Sequence, residues 1–485
     1  MVSSLSKKEG QKKDKKQKDN NKELYRIMYV FCGLFLLLCG YLSYFLVFKS
    51  REAINNPYNL RQESMEKKIV RGKILAAGGE VLAETVLEEG KEKRVYPYQD
   101  LFSHVVGYSI YGRSGIEQKY NFELLTSDIP FYEKLYGEFM GKKDPGDQLV
   151  TTLSLPLQQA AYNAMGEMRG AVVVLEPSTG KVLAMVSKPG FDPNKILEQW
   201  DQWNSEENTE SVLLNRATQG LYPPGSTFKI LTALEYIREN PSAMEDFTYQ
   251  CNGIFSYHNA EINCYHGKSH GTLDFTSAFA KSCNGAFAKM GIGLSIPGWN
   301  RLCQAFLFQP QLSFPLACEP SQFVLAENAP DWEIMQTAIG QGKTEVTPLH
   351  NALIAAAVAN GGVLMKPYII SEIQTAYGAT IKQFFPSVYD KVMSTEEAEI
   401  LSKLMAACVV DGTGYAAYTD KYTVAGKTGT AEWEKQKEPL SWFVGFAPVE
   451  NPQIVVSVIL EEAGAGSEYA VPVAKKIWDA YFMRD

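Results

Sequence analysis

Between Ile27 and Phe48 the chain runs 22 residues without a charged side chain. At 1.5 Å rise per residue a helix of that length spans about 33 Å, enough for a hydrocarbon core of about 30 Å. Tyr25, Tyr29, Tyr44 and Phe48 fall toward its ends, where interface aromatics belong. The run is too long for a cleaved signal peptide, and no small-x-small site follows Lys49. Downstream the apolar period changes. Arg71 to Ala83 reads as strand, Gly78-Gly79 turn, strand. Lys142 to Asp147 is a break or a large turn. Leu157–Met165 has helical spacing, Gly170–Leu175 is a buried strand, Pro177 to Gly180 a turn, and Lys181–Val186 its partner strand. Ile454–Leu460 and Val471–Phe482 close the chain as a strand and a helix. A hairpin, then helices, then a late strand around Lys427 predicts an α+β domain built on an antiparallel sheet.

Charge sharpens this division. Residues 1–26 hold eight lysines and one arginine against four acids, net +5, which leaves −13 of the overall −8 for the rest. The polar, lysine-rich first 20 residues are expected to be disordered. A basic tail on an acidic body argues against nucleic acid as the main partner. Lysines flanking an apolar span stay in the cytoplasm, which puts residues 49–485 outside. The segments expected are a cytoplasmic tail (1–26), a transmembrane anchor (27–48), a pedestal without catalytic residues (49–150) and a large domain (151–485).

Chemistry concentrates in Tyr222-Pro-Pro-Gly-Ser226-Thr-Phe-Lys229. Serine is a poor nucleophile until a base lies within hydrogen-bond reach. A helix beginning at Ser226 supplies one, since residues three apart share a face. S-x-x-K alone is common. Here Ser282-Cys283-Asn284 (S-x-N) and Lys427-Thr428-Gly429-Thr430 (K-T-G-T) follow in order, completing a signature of penicillin-binding proteins and serine β-lactamases.

At these motifs the chain resembles the class B penicillin-binding proteins, and within them the short penicillin-binding protein A branch. Further matching stretches are Gly170–Leu183, Ile339 to Gly342, Thr347 to Leu349, Gly412 to Gly414 and Ala425 to Glu432. The resemblance implies a pedestal, then a serine β-lactamase/transpeptidase-like domain whose central antiparallel sheet is flanked by helices. It also implies D,D-transpeptidation of peptidoglycan stem peptides ending in D-Ala-D-Ala, β-lactam sensitivity, no catalytic cofactor, and work beside a polytopic glycosyltransferase in cell-wall growth. The roles it implies are Ser226 as nucleophile, Lys229 as its base and Ser282 as proton relay. Asn284 would hold Lys229 and the substrate amide, and Lys427 would orient Ser282 and attract the carboxylate. Thr428, Gly429 and Thr430 would bind substrate, with the Ser226 and Thr430 amides as the oxyanion hole. A D,D-carboxypeptidase or β-lactamase on the same scaffold, or a β-lactam sensor or assembly scaffold, stands as the alternative.

Eight cysteines are present, two of them, Cys32 and Cys39, inside the apolar run. Three of the five histidines, His258, His266 and His270, crowd the window bracketed by Cys251 and Cys264. Cys251, Cys264 and His270, with His266 or Asp274 as the fourth ligand, suit a structural zinc. A Cys251–Cys264 disulfide and free thiols are the other readings.

Overall fold

The computed structural model describes residues 2–49, 61–205, 208, 210–433 and 437–483. The chain divides into two units, residues 1–63 and 64–485. In the first, a helix runs from Val2 to Tyr44 and tightens into a π turn over Phe45–Lys49. The stretch Lys22–Lys49 is long and apolar enough to cross a membrane. The helix reaches back through the segment expected to be disordered. Lysine, glutamate and glutamine are good helix formers, and the apolar run supplies the nucleus they extend.

In the second unit, five antiparallel strands form the central sheet in the order Ala425–Ala431, Leu440–Ala447, Ile454–Leu460, Gly170–Leu175, Val182–Lys188. Nearly every residue of these strands is buried, as a sheet covered on both faces requires. Helix Pro348–Ala359, apolar almost all round, packs on one face. Helices Leu155–Met165 and Ala470–Phe482 pack on the other around Trp478 and Phe443. The result is the α+β architecture expected from the strand and helix patterns, with Ala425–Ala431 left at the sheet edge.

A second, six-stranded sheet has the order Thr380–Gln383, Ile370–Gln374, Gln148–Thr151, Ile74–Leu75, Val81–Glu88, Lys91–Val95. Ile74–Leu75 pairs parallel with Gln148–Thr151, and Ile370–Gln374 joins antiparallel on the other side. The pedestal sheet therefore borrows two strands from far along the chain. A buried ion cluster joins Arg94 of its edge strand to Glu117 on helix Gly115–Lys119. Glu117, with no solvent exposure, accepts from Arg71 Nε at 2.6 Å and from Arg94 Nε at 2.8 Å.

Candidate active site

Ser226 sits in a 3₁₀ turn, Gly225–Phe228, that passes directly into helix Lys229–Glu239. The turn is held from three directions. Gly225 N–H donates to Gly340 O (2.8 Å), Trp442 Nε1 donates to Pro223 O (3.0 Å), and Thr227 Oγ1 donates to Pro224 O (2.8 Å). Gly225 has φ +53°, and a Cβ there would lie 2.8 Å from Thr430 O. Glycine is what lets the turn touch the edge strand. Gly429 repeats the contact from the strand side, where a Cβ would meet Trp442 Cβ at 2.9 Å and Pro224 O at 3.0 Å. A buried ion pair steadies the approach: Glu461 accepts from Arg216 Nε at 2.8 Å and from the Tyr222 hydroxyl at 2.6 Å.

Lys229 is fully buried. Its Nζ donates to Asn284 Oδ1 (2.7 Å), Ser282 O (2.8 Å) and Ser282 Oγ (3.3 Å). Ser282 lies in the joint between helices Phe275–Ala280 and Asn284–Gly293 and adopts φ +54°. A left-handed serine costs of order 1–3 kcal/mol and persists only where its surroundings impose it. Here Cys283, N-cap of the second helix, is buried behind it, and its N–H donates to Ala278 O at 3.0 Å. Burial pushes the Lys229 amine well below the usual lysine range, and the nearby Lys427 cation pushes it further. Lys427 is itself fully buried on the edge strand and lowered by burial. Its Nζ lies over the Phe279 ring and donates to Thr428 O (3.2 Å); among the described residues it makes no hydrogen bond to Ser282. Ser226, Ser282, Asn284, Thr428 and Thr430 line one cavity of about 570 Å³.

Residues 170–479 match the penicillin binding protein transpeptidase domain, and residues 71–149 match the penicillin binding protein A dimerisation domain. The chain belongs to the class B penicillin-binding proteins. The peptidoglycan D,D-transpeptidase PbpA of Mycolicibacterium smegmatis is 33% identical over 94% of this chain and 98% of its own. Among solved structures, penicillin-binding protein A from M. tuberculosis as a ceftriaxone acyl-enzyme complex superposes with a TM-score of 0.79. It is 30% identical and covers 86% of this chain and 99% of that one. The D,D-transpeptidase domain of a peptidoglycan glycosyltransferase from Eggerthella lenta gives 0.77, at 32% identity over 85% and 98%. As a member of this family the chain is a transpeptidase, with the fold expected from its motifs.

Behind the site of this penicillin-binding protein, Cys251, Cys264, His270 and Cys283 bring their ligand atoms within 4.8 Å of one another. The Cys251–Cys264 and Cys264–Cys283 sulfurs are 3.7 and 3.8 Å apart, and His270 Nδ1 is 3.3 Å from Cys251 Sγ. The three cysteines are free thiols. This corrects the expected ligand set. His266 is not in the cluster, and neither is Asp274, which caps helix Phe275–Ala280 through Ser277 N. The short turn Tyr265–Gly267 throws His266 outward, against the Tyr265 ring. Pairing of Gly271 with Cys251 brings His270 inward. Cys283, read from sequence only as the middle of S-x-N, takes the fourth place. Thr413 also went unassigned, although Gly412 to Gly414 stood out as a matching stretch. It lines the cavity and meets Thr428 hydroxyl to hydroxyl at 2.5 Å.

Proposed function

We propose that the chain cross-links peptidoglycan stem peptides through an acyl-enzyme on Ser226. The observation that carries this is the Lys229 amine, buried, depressed and bonded to Ser282 and Asn284, two residues that line one cavity with Ser226. In the first step Ser226 Oγ attacks the carbonyl carbon of the penultimate D-Ala and Lys229 takes the hydroxyl proton. The C–N bond breaks, and the terminal D-Ala leaves as its amine with a proton relayed by Ser282. A second stem's amine then attacks the ester, forming the new amide and returning the proton to Ser226. Thr428, Thr430 and the Lys427 charge hold the donor's carboxylate, and Gly429 allows close approach of the strand. The Ser226 and Thr430 amides face the developing oxyanion, where one such donor is typically worth about 100- to 1000-fold. A β-lactam takes the donor's place and stays on the serine. Segment 27–48 anchors the enzyme with residues 49–485 outside the cell, beside a polytopic glycosyltransferase that makes the glycan.

The four-residue cluster suits a structural zinc. With Zn–S bonds of about 2.3 Å the edges of a tetrahedron are about 3.8 Å, close to the two sulfur separations. Cys251, Cys264, His270 and Cys283 would hold the ion, which ties the S-x-N joint to the preceding hairpin and supplies no chemistry to acylation. Metal analysis of untagged protein should give one zinc per chain. A metal-free chain with a Cys251–Cys264 bridge by mass spectrometry would end this part of the reading.

The acylation itself is tested with labelled penicillin and intact mass over time, using the full chain in detergent with Ser226→Ala alongside. A lasting adduct absent from the variant is expected. Rapid release of hydrolysed drug would make the chain a β-lactamase, and no adduct would leave a scaffold.

A further inference from the structure

Thr428 and Thr430 project into the cavity from the edge strand, and Thr428 is almost wholly buried. A hydroxyl carries one hydrogen and can also accept. To bind a carboxylate, which only accepts, Thr428 must point that hydrogen into the cavity. Something behind it must therefore donate to Thr428 rather than accept from it.

The loop after helix Thr395–Asp411 supplies that neighbour. Thr413 Oγ1 lies 2.5 Å from Thr428 Oγ1, and Cys408 Sγ lies 3.4 Å from Thr413 Oγ1. Cys408 is fully buried on the helix. The loop is pinned: Thr413 N–H donates to Ala280 O (3.1 Å) and Gly414 N–H to Cys408 O (2.9 Å). Gly412 fits because a Cβ there would fall 2.3 Å from Ala280 O. Thr413 has one hydroxyl hydrogen, and with that given to Thr428 the Cys408 thiol is the group left to donate in its contact with Thr413. The chain then runs one way: Cys408 S–H to Thr413, Thr413 O–H to Thr428, Thr428 O–H to the cavity.

We propose that Thr413, backed by Cys408, is a positioning residue that sets the Thr428 hydroxyl as a donor to the carboxylate of the donor stem or the β-lactam. The inference rests on the reading of Ser226 as the acylated serine. It makes carboxylate recognition depend on a residue outside the three motifs.

The test uses the full chain in detergent and second-order acylation by two probes, a labelled penicillin and its methyl ester, which lacks the anionic group. A hydrogen bond to a charged group is worth roughly 1.5–3 kcal/mol, so Thr413→Val should slow acylation by the penicillin about 10- to 100-fold. Acylation by the ester should change less than about threefold, and Thr413→Ser should restore the penicillin rate. Equal losses for both probes, no loss, or no rescue by serine would overturn the proposal. If Thr413→Val does not fold, Cys408→Ala against Cys408→Ser carries the test, with the alanine variant alone losing rate selectively toward the penicillin. A wild-type chain that forms no adduct at Ser226 fells the underlying reading and this inference with it.

Discussion

Asn284 faces Lys229 with its oxygen. Oδ1 accepts from Lys229 Nζ at 2.7 Å while Nδ2 donates to Asn263 O at 2.9 Å, so the Asn263 carbonyl fixes which end of the amide meets the amine. A neutral acceptor there does not oppose loss of the lysine's proton as a carboxylate would. Asn284→Asp places a charge opposite the amine and raises its pKa. Acylation needs the neutral amine, so the rising limb of its pH profile should move to higher pH. At neutral pH the penicillin acylation rate should fall about 100-fold or more, in line with what a positioned base contributes. An unchanged profile in stopped-flow acylation would mean that Lys229 is not the base.

Gly429→Ala tests the contact between edge strand and serine turn. The added Cβ meets Trp442 Cβ at 2.9 Å, the Pro224 carbonyl oxygen at 3.0 Å and Thr227 Cγ2 at 3.1 Å. None is the free end of a flexible chain. Overpacking of this kind costs typically about 1–3 kcal/mol. The relief available is to move strand and turn apart, which also displaces Thr430 from Ser226. A lowered thermal midpoint together with slowed acylation is expected. A stability loss with acylation intact would show that the turn does not depend on the strand for its placement.

The strands Gly170–Leu175 and Ile454–Leu460 were legible because both are runs of β-branched and apolar residues bounded by turns. The S-x-x-K, S-x-N and K-T-G residues were legible because their order is itself information, and Lys229, Ser282 and Asn284 do meet. What escaped was non-local. Nothing near Glu461 announces Arg216, 245 residues away, or tells that Ile370–Gln374 completes the pedestal sheet beside Gln148–Thr151. The Cys/His cluster departs from the expected set in its fourth member for a local reason. Composition nominated His266, but the direction its side chain takes depends on a turn with φ +52° that no spacing rule foresees.

Glu117 makes the pedestal's stability depend on one carboxylate. Burial alone would push it up, yet Arg71 and Arg94 outweigh burial and hold it below its usual range. Glu117→Ala strands two buried guanidinium groups, a change that costs about 3–5 kcal/mol when one partner of a buried pair is removed. Glu117→Gln, which keeps the shape and part of the bonding, should cost less. Because the folded pKa is depressed, the stabilisation is present above the ordinary carboxylate pKa and fades as pH falls through the folded value. Denaturant melts of the native chain and both variants check the order. A Glu117→Ala chain as stable as the native one would mean the arginines find water or other acceptors.

Two buried histidines set a separate acid limit. His104 donates from Nε2 to Val212 O (2.8 Å), and His350 donates from Nε2 to Phe306 O (2.6 Å). His350 Nδ1 has no partner among the described residues, so a second proton there would be buried and unpaired. Burial pulls each imidazole from 6.5 to about 4. Between those values the unfolded chain binds the proton and the folded chain does not, so stability falls as pH drops through 6.5 and stops falling below 4. The full window amounts to roughly 3 kcal/mol per histidine. Asp147, whose carboxyl burial pushes up to about 6, tilts the same range the other way. The histidines are therefore read as a difference. Between pH 7 and 5 the native chain should lose more stability than His350→Gln, whose side chain can still donate to Phe306 O but cannot take up a proton. Equal slopes for the two chains would place the proton uptake elsewhere.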